Sequence, residues 1–383
     1  MEASCMTWFN DMVKRCHAQV TAFHAQGAPI VGILCEYTPR ELILAAGGWP
    51  VCLCGGDAGM IPEAEKTLPA NLCPIVKSTF GYSANQANPF LQMASLVVAE
   101  TTCDGKKKMY ERLAERHPMH VLELPQKPDD PDARAHWLQE LRKLRAALET
   151  RFHVSVTDEK LREAIRLMNR ERRLRLALAR TMRADALPLS GRELLDMKSL
   201  VACLPDDLAA YVRIADFLEH RPEAERPARD NVRVLLTGVP VPHGAERILD
   251  LLEADHATVV CQENCTGLKP IQEEVDENAA EPLAAIADFY LHLPCSVMTP
   301  NALRLERLER LAADYKAECV VELVWRCCLT YDVESGFTRD LAGRLALPYL
   351  KIETDYSPND DARLALRLGA LYETVRAARK PVR

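Results

Sequence analysis

The sequence predicts an α/β protein of two lobes, each built on a parallel sheet, joined by a helical segment. Three observations carry this. Short apolar runs alternate with helical stretches up to about residue 125, and they alternate again from 231 to the end. Between them the chain is helical in period and rich in Arg and Leu. The length, 383 residues, suits two or three domains of roughly 150 residues each.

PIVGIL (29–34) is short and apolar, as a buried strand requires. TPRELILAAGG (38–48) follows as a helix, with Thr38 to cap it, Pro39 in its first turn and Gly47 to end it. WPVCLC (49–54) is the next strand, and Cys73-Pro74 opens another helix. SLVVAET (95–101), KKKMYERLAER (106–116) and HVLELP (120–125) read as strand, helix, strand. Such alternation implies parallel strands with helices on both faces. The arginine-rich run 170–175 reads as the solvated face of an amphipathic helix. PEAERPARD (222–230) reads as a linker. The second lobe has strands at NVRVLLTG (231–238), ATVVC (257–261), ECVVELVW (318–325) and LPYLKIETD (347–355). Its helices fall at 245–254, 300–315 and from about 359. The expected organisation is two Rossmann/flavodoxin-like lobes, 1–130 and 231–383, with a helical connecting segment, 131–230.

Composition narrows the function. A net charge of −7 argues against a nucleic-acid binder, which needs a basic face. No apolar run is long enough for a membrane span, and the N-terminal segment lacks the apolar core of a signal peptide. The expected location is therefore cytoplasmic. There is no GxGxxG fingerprint and no GxxxxGK[ST] loop. TGVPVPHG (237–244) lies between a strand and a helix and could approach a ligand or simply connect them.

Fourteen cysteines is a high count where thiols stay reduced. In open α/β sheets, ligands bind beyond the carboxyl ends of the strands. Six cysteines fall there, three per lobe: Cys35, Cys73 and Cys103, then Cys265, Cys295 and Cys328. Cys16, Cys52 and Cys319 instead fall inside elements. None of the six forms a CxxC pair, which disfavours a zinc ribbon or a dithiol redox motif, and no histidine stands at ligand spacing. An all-thiolate site suits iron–sulfur chemistry. Helix N-termini beside such thiols would favour an anionic cluster.

CEYTPRELILAAGGWPVCLCGG, NLCPIVKSTFGY, ETTCDGKKKMYE, ENCTG, PCSVMTPN, LTYDVES and IETDYS together resemble the 2-hydroxyacyl-CoA dehydratase / benzoyl-CoA reductase family over nearly the whole chain. With six such cysteines in one chain, the resemblance is greatest to its double-cubane cluster proteins. It implies a homodimer whose two bridged cubanes, an 8Fe-9S cluster, are held by six thiolates: Cys35, Cys73, Cys103, Cys265, Cys295 and Cys328. It also implies ATP-dependent, low-potential reduction of a small molecule, with electrons from a separate ATP-hydrolysing iron–sulfur activator. The alternative within the family is a 2-hydroxyacyl-CoA dehydratase subunit with one 4Fe-4S cluster, matching Cys73, Cys103 and Cys328. Cys327 stands open as a substitute for Cys328, and Cys54 for Cys35. Many relatives have cysteine where this chain has Val297, and histidine where it has Leu329.

No catalytic residue is assigned. Glu36, Glu41, Glu263 and Asp104 lie near the predicted crevice, where acids also serve as caps and ion-pair members. In ETTCDGKKKMYE, Asp104-Gly105 is expected to turn the chain and Lys106 to start a helix. Lysines there oppose the helix dipole, so a negative group is expected nearby.

Overall fold

A computed structural model of the chain describes residues 6–379. The first sheet comprises β1 (Ile30–Ile33), β2 (Trp49–Cys52), β3 (Leu96–Glu100) and β4 (Met119–Leu122), all parallel, in the order β2-β1-β3-β4. The second comprises β5 (Val232–Gly238), β6 (Ala257–Gln262), β7 (Cys319–Trp325) and β8 (Tyr349–Thr354), also parallel, in the equivalent order β6-β5-β7-β8. These are the two α/β lobes expected from the sequence.

Why these residues make strands is visible in their burial. Val97 and Ala99 of β3 face one apolar cluster, and Leu96 and Val98 face another. A strand covered on both sides reads as a continuous apolar run rather than an alternation. The first-lobe helices are α1 (Met12–Ala25), α2 (Arg40–Ala45), α3 (Ile61–Ala64), α4 (Pro74–Ala84), α5 (Pro89–Met93) and α6 (Asp104–Ala114). Connecting helices follow: α7 (Pro131–Phe152), α8 (Asp158–Thr181), α9 (Gly191–Asp196) and α10 (Pro205–His220). The second lobe adds α11 (Arg247–Leu252), α12 (Pro282–Leu291), α13 (Ala302–Asp314), α14 (Leu329–Arg344) and α15 (Asp361–Arg379).

Several local expectations change. Thr38 does not cap α2: its hydroxyl donates to the buried Glu100 carboxylate, and Pro39 holds the N-cap position. Gly47 does follow the helix, in a left-handed conformation at φ +78°. Asp104-Gly105 is not a separate turn but the first turn of α6, which Cys103 N-caps. The arginine run is only half solvated, because Arg172 is buried against Glu41 at 2.7 Å. Helix α12 lies late in the chain yet packs on α7 and α8, and Ile286 and Tyr290 join the cluster under β1 and β3.

The lobes meet closely. A Cβ on Gly56 would lie 2.2 Å from the His243 carbonyl of the opposite loop, so only glycine permits that approach. Tyr37 donates to the Leu293 carbonyl at 2.6 Å, and Tyr356 to that of Gly55 at 3.1 Å. Within the second lobe, the fully buried Arg304 contacts Glu263, Glu322 and Glu334 and donates to Thr237 at 2.8 Å. That guanidinium joins β5, β7, α13, α14 and the loop after β6.

Removing Arg304 would leave Glu322 and Glu334 without their cation and Glu263 with Lys269 alone. Arg304→Met is expected to cost about 3–5 kcal/mol of folding stability. Urea unfolding followed by circular dichroism measures this, and an unchanged midpoint would contradict the assignment.

Candidate thiol and metal centre

In each sheet the strand order reverses between the first and third strands, β1 and β3 or β5 and β7. Loops leave such a point in opposite directions and open a crevice. Cys35 follows β1, Cys103 follows β3 and Cys328 follows β7, so the topology alone aims them there.

Three thiols share one local structure. Cys73, Cys103 and Cys328 are the N-cap residues of α4, α6 and α14, and none of the three side chains makes a cap hydrogen bond. The backbone N–H groups of the first turns, at Ile75, Lys106 and Tyr331 respectively, act to lower the three thiols. The Cys73 and Cys328 thiols act on each other. Hydrogen bonding to Cys73 lowers the Cys328 thiol, while the same bond and then burial raise Cys73. Burial raises Cys103, which lies in the field of Cys328.

The open choice between Cys327 and Cys328 has a geometric aspect. Cys327 is exposed and left-handed at φ +65°, an uncommon conformation for a non-glycine residue. That turn swings the chain out of β7 and delivers Cys328 inward at the helix start.

Cys35, Cys265 and Cys295 form a second group. Burial raises Cys35 above the ordinary thiol range, and Cys265 and Cys295 add to the effect. Burial pushes Cys265 up to about 12 against the nearby Lys269 ammonium. The loops holding these thiols are tied down individually. Lys198 donates to the Cys265 carbonyl at 2.9 Å and pairs with Glu36 at 2.7 Å. Asn301 donates to the Cys295 carbonyl at 3.0 Å. Ser296 bonds Thr330 at 2.9 Å, joining this loop to α14. Lys269 donates to Tyr331 at 2.9 Å beneath both thiols.

Cys54 stands beside Cys35 but also engages Cys52, its hydrogen-bond partner, and the Leu34 carbonyl at 3.4 Å. Hydrogen bonding from Cys54, against burial and aided by Lys198, takes the Cys52 thiol down to about 6. From sequence, Cys52 reads as interior to a strand. It is the last residue of β2, and its spacing of two from Cys54 is the signal that both side chains share one side.

The four acids near the crevice are all ion-pair members. Glu36 pairs with Arg40 and Lys198, which overcome its burial and hold it at about 2. Glu41 binds Arg172 and Tyr290, and Glu263 binds Arg304, Lys269 and Thr237. Asp104 is exposed and pairs with Lys107 at 2.6 Å. Glu100 does not stand out in the sequence. It is fully buried, and its Oε2 has no hydrogen-bond partner among the described residues.

A cavity of about 80 Å³ lies between the lobes, lined by Cys35, Cys54, Lys106, Cys265 and His243. The loop 237–244 therefore does border the centre, through Pro240, Val241, Pro242 and His243. An open cleft of about 950 Å³ reaches Cys52 and Cys54 from the α1 side.

Among the described residues, no three or more His, Cys, Asp or Glu side chains converge as a single metal ion requires. A cluster is a different acceptor, because each thiolate binds its own iron and the sulfurs stand apart. Three thiols on three helix N-termini fit such an anionic group, since helix dipoles and free N–H groups stabilise negative charge there.

The fold and this donor set define a two-lobed α/β protein with a thiol centre at the lobe junction. Residues 35–375 match the family 2-hydroxyglutaryl-CoA dehydratase, D-component, and the chain belongs to that family. Its members are in general iron–sulfur dependent. Over 359 residues the chain is 38% identical to YjiM of Escherichia coli (strain K12), provisionally named a dehydratase subunit; this covers 91% of this chain and 92% of the relative. It is 22% identical over 375 residues to the (R)-phenyllactyl-CoA dehydratase beta subunit of Clostridium sporogenes, covering 96% and 97% of the two chains. It is 23% identical over 269 residues to a subunit of the benzoyl-CoA reductase of Thauera aromatica, covering 69% and 68%.

Glu100 gives this centre a pH signature. Burial raises its carboxyl to about 7, more than Thr38 and Lys106 can lower it. A raised carboxyl is most stable in the fold when protonated. Its contribution is full below about 4.5 and is lost as pH rises through 7. Thermal melts of wild type should therefore fall more steeply than those of Glu100→Gln over that interval, and parallel curves would exclude the effect.

Proposed function

We propose that the protein is an iron–sulfur component of a dehydratase or reductase acting on a CoA thioester or related small molecule. The reading supported best is a 2-hydroxyacyl-CoA dehydratase-type subunit whose 4Fe-4S cluster binds Cys73, Cys103 and Cys328. The observation that carries it is that each of these thiols stands at a helix N-terminus, with Cys73 and Cys103 both in the field of Cys328. Family membership and the subunit names of the relatives support it.

Such a cluster supplies one-electron chemistry when bound. The chain's own residues do the rest. The first turns of α4, α6 and α14 stabilise thiolate charge. Glu36, Lys198 and Tyr37 hold the two lobes in register around the thiols. The cleft of about 950 Å³ is of a size that admits a small organic substrate and leads it to the Cys54 wall. The chain has no phosphate loop, so the reading assigns ATP hydrolysis and electron delivery to a separate activator protein.

A second reading rests on the second thiol group. Cys35, Cys265 and Cys295 border the same crevice, and six thiolates could hold a double-cubane 8Fe-9S cluster that reduces a small molecule. Iron and sulfide analysis of anaerobically purified protein separates the two. About four irons per chain, lost in Cys103→Ala and retained in Cys265→Ala, matches the dehydratase subunit. About eight, reduced by either substitution, matches the double cubane. Iron-free, colourless wild-type protein would overturn both.

A further inference from the structure

The three lysines of CDGKKK do not share one role. Lys107 is exposed and pairs with Asp104 at 2.6 Å, and Lys108 is exposed and pairs with Glu111 at 2.5 Å. Lys106 points the other way. Its Nζ donates to the Leu34 carbonyl at 2.6 Å, the residue just before Cys35. The side chain thus runs from the α6 first turn, N-capped by Cys103, to the end of β1. It lies between one thiol of each group.

No carboxylate among the described residues lies within ion-pair distance of this ammonium. The other lysines at the centre are different: Lys198 has Glu36 and Lys269 has Glu263. The neighbours that act on Lys106 are Tyr110, Cys35, Cys54 and Cys103, and Lys106 in turn acts on Cys328 and Glu100. A half-buried ammonium with no carboxylate in reach is costly to take out of water. Here the counter-charge available is sulfur. A reduced cluster carries one more negative charge than an oxidised one, so a fixed cation beside it favours the reduced form.

We propose that Lys106 is a positioning residue that offsets the charge of the thiolate-held cluster and raises its reduction potential. This rests on the iron–sulfur reading above. It divides the lysine block into one inward cation that tunes the centre and two outward ones that do not.

The test is a redox titration of anaerobically purified protein, followed by electron paramagnetic resonance, with iron counted in each sample. Lys106→Gln should keep its fold and iron but show a more negative midpoint. A tenfold loss in stabilisation of the reduced state corresponds to about 59 mV for one electron. Lys106→Arg should recover part of the shift, and Lys107→Gln and Lys108→Gln should match wild type. An unshifted midpoint in iron-replete Lys106→Gln overturns the proposal. If Lys106→Gln loses iron, retention of iron by Lys106→Arg supports the charge role. Loss in both, with circular dichroism unchanged, marks a steric role and overturns it. Wild type that binds no iron is a separate result, because it removes the iron–sulfur reading itself.

Discussion

Three helices of this protein begin on the thiols they present, and much of the architecture serves to bring those beginnings together. A helix start carries unsatisfied N–H groups and partial positive charge. At Cys73, Cys103 and Cys328 no cap side chain takes up those groups, and they remain to lower the neighbouring thiols. A helix that directly follows a parallel strand begins where that strand ends, so its N-terminus faces the crevice. For Cys103 and Cys328 the strands are β3 and β7, on the side of each sheet where the order reverses. The parallel topology and the sulfur site are thus one geometric requirement.

The two thiol groups are supported by different physics. The first draws on backbone N–H groups. The second sits in loops without helix starts, and side-chain cations stand near it: Lys198 by the Cys265 carbonyl and Lys269 under Cys265 and Cys295. Each of those cations is itself held by a carboxylate, and Glu263 is held in turn by Arg304. Buried charge is tolerated because it is closed into networks.

Much of this was legible in the sequence, for physical reasons. The strands were readable because burial on both faces leaves unbroken apolar runs such as SLVVAE and ECVVELVW. The lobes followed from alternation. The ends of strands marked six cysteines as candidate ligands. What escaped was long-range. Arg172 looked solvated because its partner, Glu41, is 131 residues away in sequence. Helix α12, PLAAIADFYL, was missed because an element buried on most sides shows little amphipathic period. Thr38 obeyed a local capping rule until a buried carboxylate, Glu100, offered its hydroxyl a stronger partner. Spacing singled out six thiols beyond strand ends as candidates but could not say which lie together, because that depends on contacts between the lobes.

That last feature has a bearing on how the protein is made. Cys73 and Cys103 come from the first lobe and Cys328 from the second, and Cys35 lines the same cavity as Cys265. Tyr37 and Leu293, which clamp the same junction, are 256 residues apart. Contacts of such separation close late, after the entropy of the intervening loop has been overcome. On a ribosome, the first lobe emerges with its thiols unmatched and waits for the last third of the chain. The crevice is therefore a record of completed synthesis: a truncated or half-folded chain has its cysteines, but not the cavity that Cys35 and Cys265 line together.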